Sequence, residues 1–158
     1  MSTQEKGYIL KDLNEFTQLA DCKKPFLCCG KSFMKTDAFD FLSNEYDLTV
    51  WSTVRPNPRY EDMLAAAELY KKNSCDYIIG AGGGSVLDSA KMIKLLVTND
   101  AETALLKPMD DNDIGFFAIP TTSGTGSEAT RYSIFYVNDV EKHSITCLLY
   151  TSDAADEL

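Results

Sequence analysis

Gly82, Gly83 and Gly84 run directly into Ser85, with Asp88 and Lys91 close behind, and a second run, Thr121-Thr122-Ser123-Gly124-Thr125-Gly126-Ser127, follows later in the chain. Glycines carry no Cβ, so such a run lets the backbone take positive φ and lie directly against the oxygens of a bound group. The second run interleaves short hydroxyls with Gly124 and Gly126. A dense row of small donors of this kind suits phosphate, ribose or amide groups. Together the two runs point to the non-covalent capture of a phosphate-bearing molecule, a pyrophosphate above all.

Elements must hold these turns in place. Residues 76–81, Asp-Tyr-Ile-Ile-Gly-Ala, form a short apolar run that reads as a buried parallel strand. After the glycines, Ser85 is expected at a helix N-cap, with Asp88 as the carboxylate of a variant capping box. Val86, Ala90, Ile93 and Val97 recur at helical spacing and would pack that helix on a sheet, its N-terminal N–H groups aimed at the glycine turn. A tight strand-to-helix turn with an ordinary cap is the alternative, because counting G-x-G-x-x-G from Gly80 and Gly82 puts Ser85 at the last position. Residues 115–119 read as a second buried strand, stopped by Pro120.

The same alternation runs through the rest of the chain. Residues 25–29 and 46–51 read as strands and 34–42 as a helix. Residues 59–72 form an amphipathic helix with Tyr60, Met63, Leu64, Ala67 and Tyr70 inward and Pro58 setting its first turn. Residues 131–137 alternate as a strand and pair with 142–146, while 99–113 read as a solvated loop. Repeated βα units predict an α/β fold, a Rossmann-like parallel sheet with helices on both faces and ligands at the carboxyl ends of its strands.

Composition narrows the partners. The chain has 158 residues, 44% of them hydrophobic and 25% charged, which is enough for one globular core. A net charge of −9 without a basic stripe argues against nucleic acid and anionic membranes. No apolar run approaches the roughly 20 residues of a membrane span and no signal peptide opens the chain, so a cytoplasmic protein is expected. Its five cysteines include no C-x-x-C, giving neither a disulfide framework nor a zinc site, and Cys28 and Cys29 read as small strand residues. His143, the one histidine, reads as a surface residue beside Lys142.

The G-G-G-S-x-x-D-x-A-K run of residues 82–91 and the P-T-T-x-G-T-G-S-E run of 120–128 resemble, in order and separation, the two signatures of the iron-containing (group III) alcohol dehydrogenases. Gly30-Lys31-Ser32 and Pro56-Asn57-Pro58 fall where that family has similar residues, and the resemblance covers residues 24–146. It implies the N-terminal domain of the dehydroquinate synthase-like fold. In the family an all-helical C-terminal domain follows, whose one Asp and three His hold Fe²⁺ or sometimes Zn²⁺. That domain is expected to be missing here, leaving a nicotinamide dinucleotide-binding domain at 1–146, inactive alone, and a non-native tail at 147–158, of which 147–157 resemble a translated sequencing adapter.

For the full-length protein the resemblance implies hydride transfer between NAD or NADP and a primary alcohol or aldehyde, in a homodimer. Gly82, Gly83, Gly84 and Ser85 would hold the pyrophosphate, Asp88 would fix the glycine turn, and Thr121, Thr122 and Thr125 would bind the adenine and ribose side. Ser52, Pro56, Asn57 and Thr130 complete the implied cofactor set. Ser52 stands where the family commonly has an aspartate that binds the ribose hydroxyls, so a 2′-phosphate is allowed, with Arg55 or Arg59 as partners, and the choice between NAD and NADP stays open. The stretch 128–134 resembles the phosphonoacetaldehyde-reducing branch, where Arg131 would fork onto phosphonate oxygens; an exposed strand arginine is the alternative. A non-catalytic nucleotide-binding module, a polyol-phosphate dehydrogenase and dehydroquinate synthase are the competing readings.

Overall fold

The computed structural model describes residues 13–52, 59–104, 106, 108–110, 112–121, 132–137 and 141–146, the last two stretches by backbone alone. Four strands, β1 (Pro25–Cys29), β2 (Thr49–Trp51), β3 (Tyr77–Gly82) and β4 (Gly115–Pro120), form a parallel sheet in the order β2-β1-β3-β4. All five residues of β1 are buried, as a central strand covered on both faces requires.

Because side chains alternate along a strand, β1 feeds two cores. Phe26 and Cys28 join Ile78 and Phe116 under α3 (Tyr60–Lys72) and α4 (Gly84–Leu96). Leu27 and Cys29 join Ile79 and Ala81 on the other face, under α1 (Leu13–Leu19) and α2 (Asp37–Glu45). The α/β reading with helices on both faces therefore holds. Sequence reasoning had no counterpart for α1. Its Phe16 is 1% exposed and stacks on Phe117 at 4.7 Å, closing the α2 face of the sheet.

Several boundaries differ from expectation for local reasons. The expected helix at 34–42 is a 3₁₀ turn, Phe33–Lys35, followed by α2. Between them Thr36 takes an extended conformation and its Oγ1 accepts from Phe39 N at 3.2 Å, an N-cap that restarts the helix. Strand β2 begins at Thr49 because Tyr46 is still tied to α2, donating its N–H to Leu42 O. In α3 the buried face is Tyr60, Met63, Ala66, Ala67 and Tyr70, with Leu64 partly buried against it; Pro58 lies outside the described residues.

The connection from α4 to β4 contains no described strand or helix, but it is not the solvated loop expected for 99–113. Ala104 and Met109 are buried at 2% and 6%, although Leu106 is 81% exposed. Asparagine side chains replace the absent backbone ladder. Asn99 Nδ2 donates to Leu95 O and Asp110 O, both at 2.8 Å, and Asn99 Oδ1 accepts from Asp110 N at 3.0 Å. Asn112 Nδ2 donates to Lys94 O and Thr98 Oγ1 at 2.8 Å, and Asn112 Oδ1 accepts from Ile114 N at 3.1 Å. The fully buried Lys94 returns a bond from Nζ to Asn112 O at 3.1 Å. The chain thus enters β4 in a fixed position. After it, β5 (Tyr132–Val137) and β6 (Glu141–Thr146) pair antiparallel, Tyr132 opposite Thr146, as expected.

Asn112→Ala removes the amide that joins α4 to the start of β4 and is expected to destabilise the protein by about 2 kcal/mol, read from urea unfolding. Burial pushes the Cys29 thiol up to about 11 and raises Cys28 further, so both are neutral at about pH 8. A thiol reagent at that pH should modify Cys28 and Cys29 only once denaturant opens the sheet; labelling at the rate of a free thiol in the folded protein would contradict this.

Candidate functional site

The sheet reverses direction between β1 and β3: the chain leaves β1 toward β2 on one side, and leaves β3 toward β4 on the other. At such a point the connections diverge and a crevice opens outside the carboxyl ends. Gly30, after β1, has nothing within 4 Å of where a Cβ would stand. Gly82 and Gly83 border the crevice from the end of β3.

Glycines fix how α4 meets the sheet. A Cβ on Gly80 would stand 2.9 Å from Ala90 Cβ and 3.3 Å from Leu87 Cδ2, so only glycine lets the helix lie this close to β3. Gly82 has φ +154°, and a Cβ there would meet Val86 Cβ and Cγ2 at 2.8 Å. Its backbone conformation is one that side-chain-bearing residues rarely adopt.

The helix starts earlier than the sequence suggested. Gly83 is the N-cap, extended at φ −86° and ψ −164°, and its carbonyl already accepts from Leu87 N at 3.0 Å. Ser85 therefore lies inside the first turn and not at the cap, and Asp88 is not the fourth member of a capping box. Gly83 brings no side chain to the first-turn N–H groups. In this arrangement an external anion can take the capping role, aided by the helix dipole.

The second motif reaches the same place. Gly82 and Pro120 are register partners at the ends of β3 and β4, and Thr121 N donates to Gly82 O at 3.0 Å. Pro120 is thus the last residue of β4, where the sequence reading had it stop the strand before that point. Ser52 follows directly on β2, whose Trp51 pairs in register with Cys28 of β1. The structure hence sets Ser52, Gly82, Gly83, Gly84, Ser85 and Thr121 along one edge of the sheet. Pro56, Asn57, Thr122, Thr125, Thr130 and Arg131 lie outside the described residues.

Beneath the turn, Lys91 Nζ lies 3.9 Å from Asp88 Oδ1, with Lys91 fully buried and the Asp88 side chain 22% exposed. Burial raises the Asp88 carboxyl above the usual carboxylate range, and the Lys91 ammonium opposes that rise. Sequence reasoning gave Lys91 and Gly80 no individual role. The signal available was a lysine three residues beyond Asp88 on the helix that the glycine turn opens. Among the described residues no group of three or more His, Cys, Asp and Glu side chains is placed to hold a metal ion, and no helix is long and apolar enough to cross a membrane.

Comparison with known proteins agrees with this geometry. The sequence model of the family described as iron-containing alcohol dehydrogenase matches residues 3–155. The probable alcohol dehydrogenase EutG of Escherichia coli is 40% identical over 94 residues, which are 55% of this chain and 23% of that protein. Alcohol dehydrogenase 4 of Schizosaccharomyces pombe is 38% identical over 125 residues, 74% of this chain and 30% of that protein. The chain thus spans well under half the length of the curated relatives it matches. Among solved structures, sulfoacetaldehyde reductase from Bifidobacterium kashiwanohense in complex with NAD⁺ superposes with a TM-score of 0.74 at 27% identity, over 85% of this chain and 38% of that one. The NADH-dependent butanol dehydrogenase A of Thermotoga maritima shares the fold at a TM-score of 0.78 and 23% identity, over 95% of this chain and 42% of that one.

Substituting the close-contact glycines should damage the turn from two directions. Gly80→Ala is expected to cost about 1–3 kcal/mol by forcing α4 off β3, and Gly82→Ala a similar amount by combining a clash with backbone strain. Both are measured as lowered urea midpoints, and an unchanged midpoint for either would show that α4 moves away freely.

Proposed function

We propose, from the premise that the chain belongs to the iron-containing alcohol dehydrogenase family, that it carries the nicotinamide-dinucleotide site of an oxidoreductase acting on small alcohols and aldehydes. One observation carries the reading: a helix begun by glycine, without a side-chain cap, opens at the strand-order reversal, and Thr121 N, just past β4, donates to Gly82 O at the end of β3. These residues fit a dinucleotide. The pyrophosphate would lie against Gly82, Gly83 and Gly84 and accept from the first turn of α4, Ser85 included. Thr121, with Thr122, Thr125 and Thr130, would serve the adenine and ribose side, and Ser52, Pro56 and Asn57 would border the adenosine.

The bound cofactor supplies the hydride chemistry, and the protein aligns it with the alcohol carbon. The cofactor domain of this reading is residues 1–146, with 147–158 outside it. A catalytic Fe²⁺ or Zn²⁺ would be held by residues other than those described, since no suitable donor set occurs among them. In the full-length protein the activity would be cytoplasmic and carried by a homodimer.

Ser52 bears on which dinucleotide is taken. An acidic residue at this strand end favours ribose hydroxyls and repels a 2′-phosphate, whereas a serine hydroxyl accepts either. For the substrate, an anionic aldehyde is the finer proposal. The guanidinium of Arg131 would fork onto a phosphonate or sulfonate, and a relative of known structure is named for the sulfonate-bearing sulfoacetaldehyde.

Titration with NADH and NADPH, followed by energy transfer from the single Trp51, is expected to saturate with both. Ser52→Asp should weaken NADPH about tenfold while sparing NADH, the magnitude of one adverse charge contact worth about 1.4 kcal/mol. Absence of saturable binding to the folded protein would remove the reading. With the full-length enzyme, phosphonoacetaldehyde or sulfoacetaldehyde should be reduced with a lower KM than butyraldehyde, and Arg131→Ala should abolish that difference; equal KM values in the parent enzyme would discard the anionic-substrate proposal.

A further inference from the structure

We propose that Lys91 is a positioning residue of the dinucleotide site, its buried ammonium balancing the Asp88 carboxylate so that the glycine turn presents a positive field to the pyrophosphate; this rests on the reading above. Asp88 and Lys91 lie about 6 Å and about 10 Å along the helix axis from Gly84, at 1.5 Å per residue. The acid therefore stands between the lysine and the anion site. A lone carboxylate so near a helix N-terminus would engage the positive end of the dipole itself and repel a second anion.

Lysine is costly to bury, and its placement here has a specific geometry. Two lysines are fully buried among the described residues, both on α4. Lys94 bonds the Asn112 carbonyl toward the far end of the helix. Lys91 sits nearly one turn closer to the glycines, with its Nζ 3.9 Å from Asp88 Oδ1. The part of Asp88 that is exposed faces outward while Oδ1 is buried, so the cation meets the acid from the inner side. On the same stretch of α4, Leu87, Ala90 and Met92 are fully buried, and in a dry interior an ion pair is screened far less than at a surface.

The test separates charge balance from mere packing. Kd values for NADH and NADPH are measured on the wild type, Lys91→Met, Asp88→Asn and the double variant. Lys91→Met nearly keeps the side-chain length and removes the positive charge beside the acid, so binding should weaken about tenfold. Asp88→Asn keeps the side-chain shape and removes the charge that opposes the anion, so it should bind more tightly than Lys91→Met. The double variant restores neutrality and should recover most of the loss, which a packing defect would not do. Lys91→Met binding as the wild type does, or a double variant as weak as Lys91→Met, would overturn the proposal. If Lys91→Met does not fold, the double variant decides: binding well above the detection limit supports charge balance, and its loss refutes it. A wild type that binds neither nucleotide would instead sink the functional reading itself.

Discussion

The approach of α4 to β3 at Gly80 governs the rest of this structure. A Cβ at that position would come within 2.9 Å of Ala90 Cβ, so the helix rests directly on the strand backbone. Close contact there aims the start of α4 over the end of β3, and it forces the intervening turn to be short. Gly82 and Gly83 follow from that constraint: one accepts φ +154° and the other caps a helix without a side chain. The placement of the helix terminus results from packing, since the geometry that seats α4 on the sheet also leaves its first turn at the crevice.

Seating α4 has a second consequence at its other end. Lys94, Asn99 and Asn112 bind the connection that leaves α4 and deliver the chain to β4 in one position. With β4 fixed in register against β3, Thr121 N meets Gly82 O. The glycine turn and Thr121, far apart in sequence, thus meet at one end of the sheet. Tyr60 adds a tie from the start of α3, its hydroxyl donating to Ala101 O at 2.9 Å. Amide side chains do this work because a connection without a strand has no ladder to satisfy its own backbone.

Electrostatics follows the same division between a dry interior and an open edge. Although the chain is acidic overall, at −9, the local field at the glycine turn is set by backbone N–H groups and the helix dipole, which favour an anion on the proposed reading. Buried charges on α4 modulate that field. Membership of the iron-containing alcohol dehydrogenase family is consistent with this arrangement, and the chain's relatives are named for alcohols and aldehydes.

Much of the fold was legible from local pattern. β1 reads from its apolar run, α3 from its helical spacing and the glycine turn from three residues without Cβ, since each depends on near neighbours alone. The first signature run and the start of the second likewise showed where the chain turns at the ends of β3 and β4. Other features required contacts across the chain. Helix α1 is held by Phe16 against Phe117, Ala104 and Met109 are buried in a stretch with polar composition, and Thr36 divides a helix that periodicity ran together. The cap at Gly83 was decided by where β3 delivers the chain, which Ser85's own preference could not reveal. Sequence by itself determined the alternation of strands and helices and the family signatures at the turns, because those properties reside in individual side chains and their spacing. Tertiary structure alone decided that Ser52, the glycine turn and Thr121 share one edge, and that Lys91 lies buried behind Asp88, because strand order and helix seating are set by packing between distant residues.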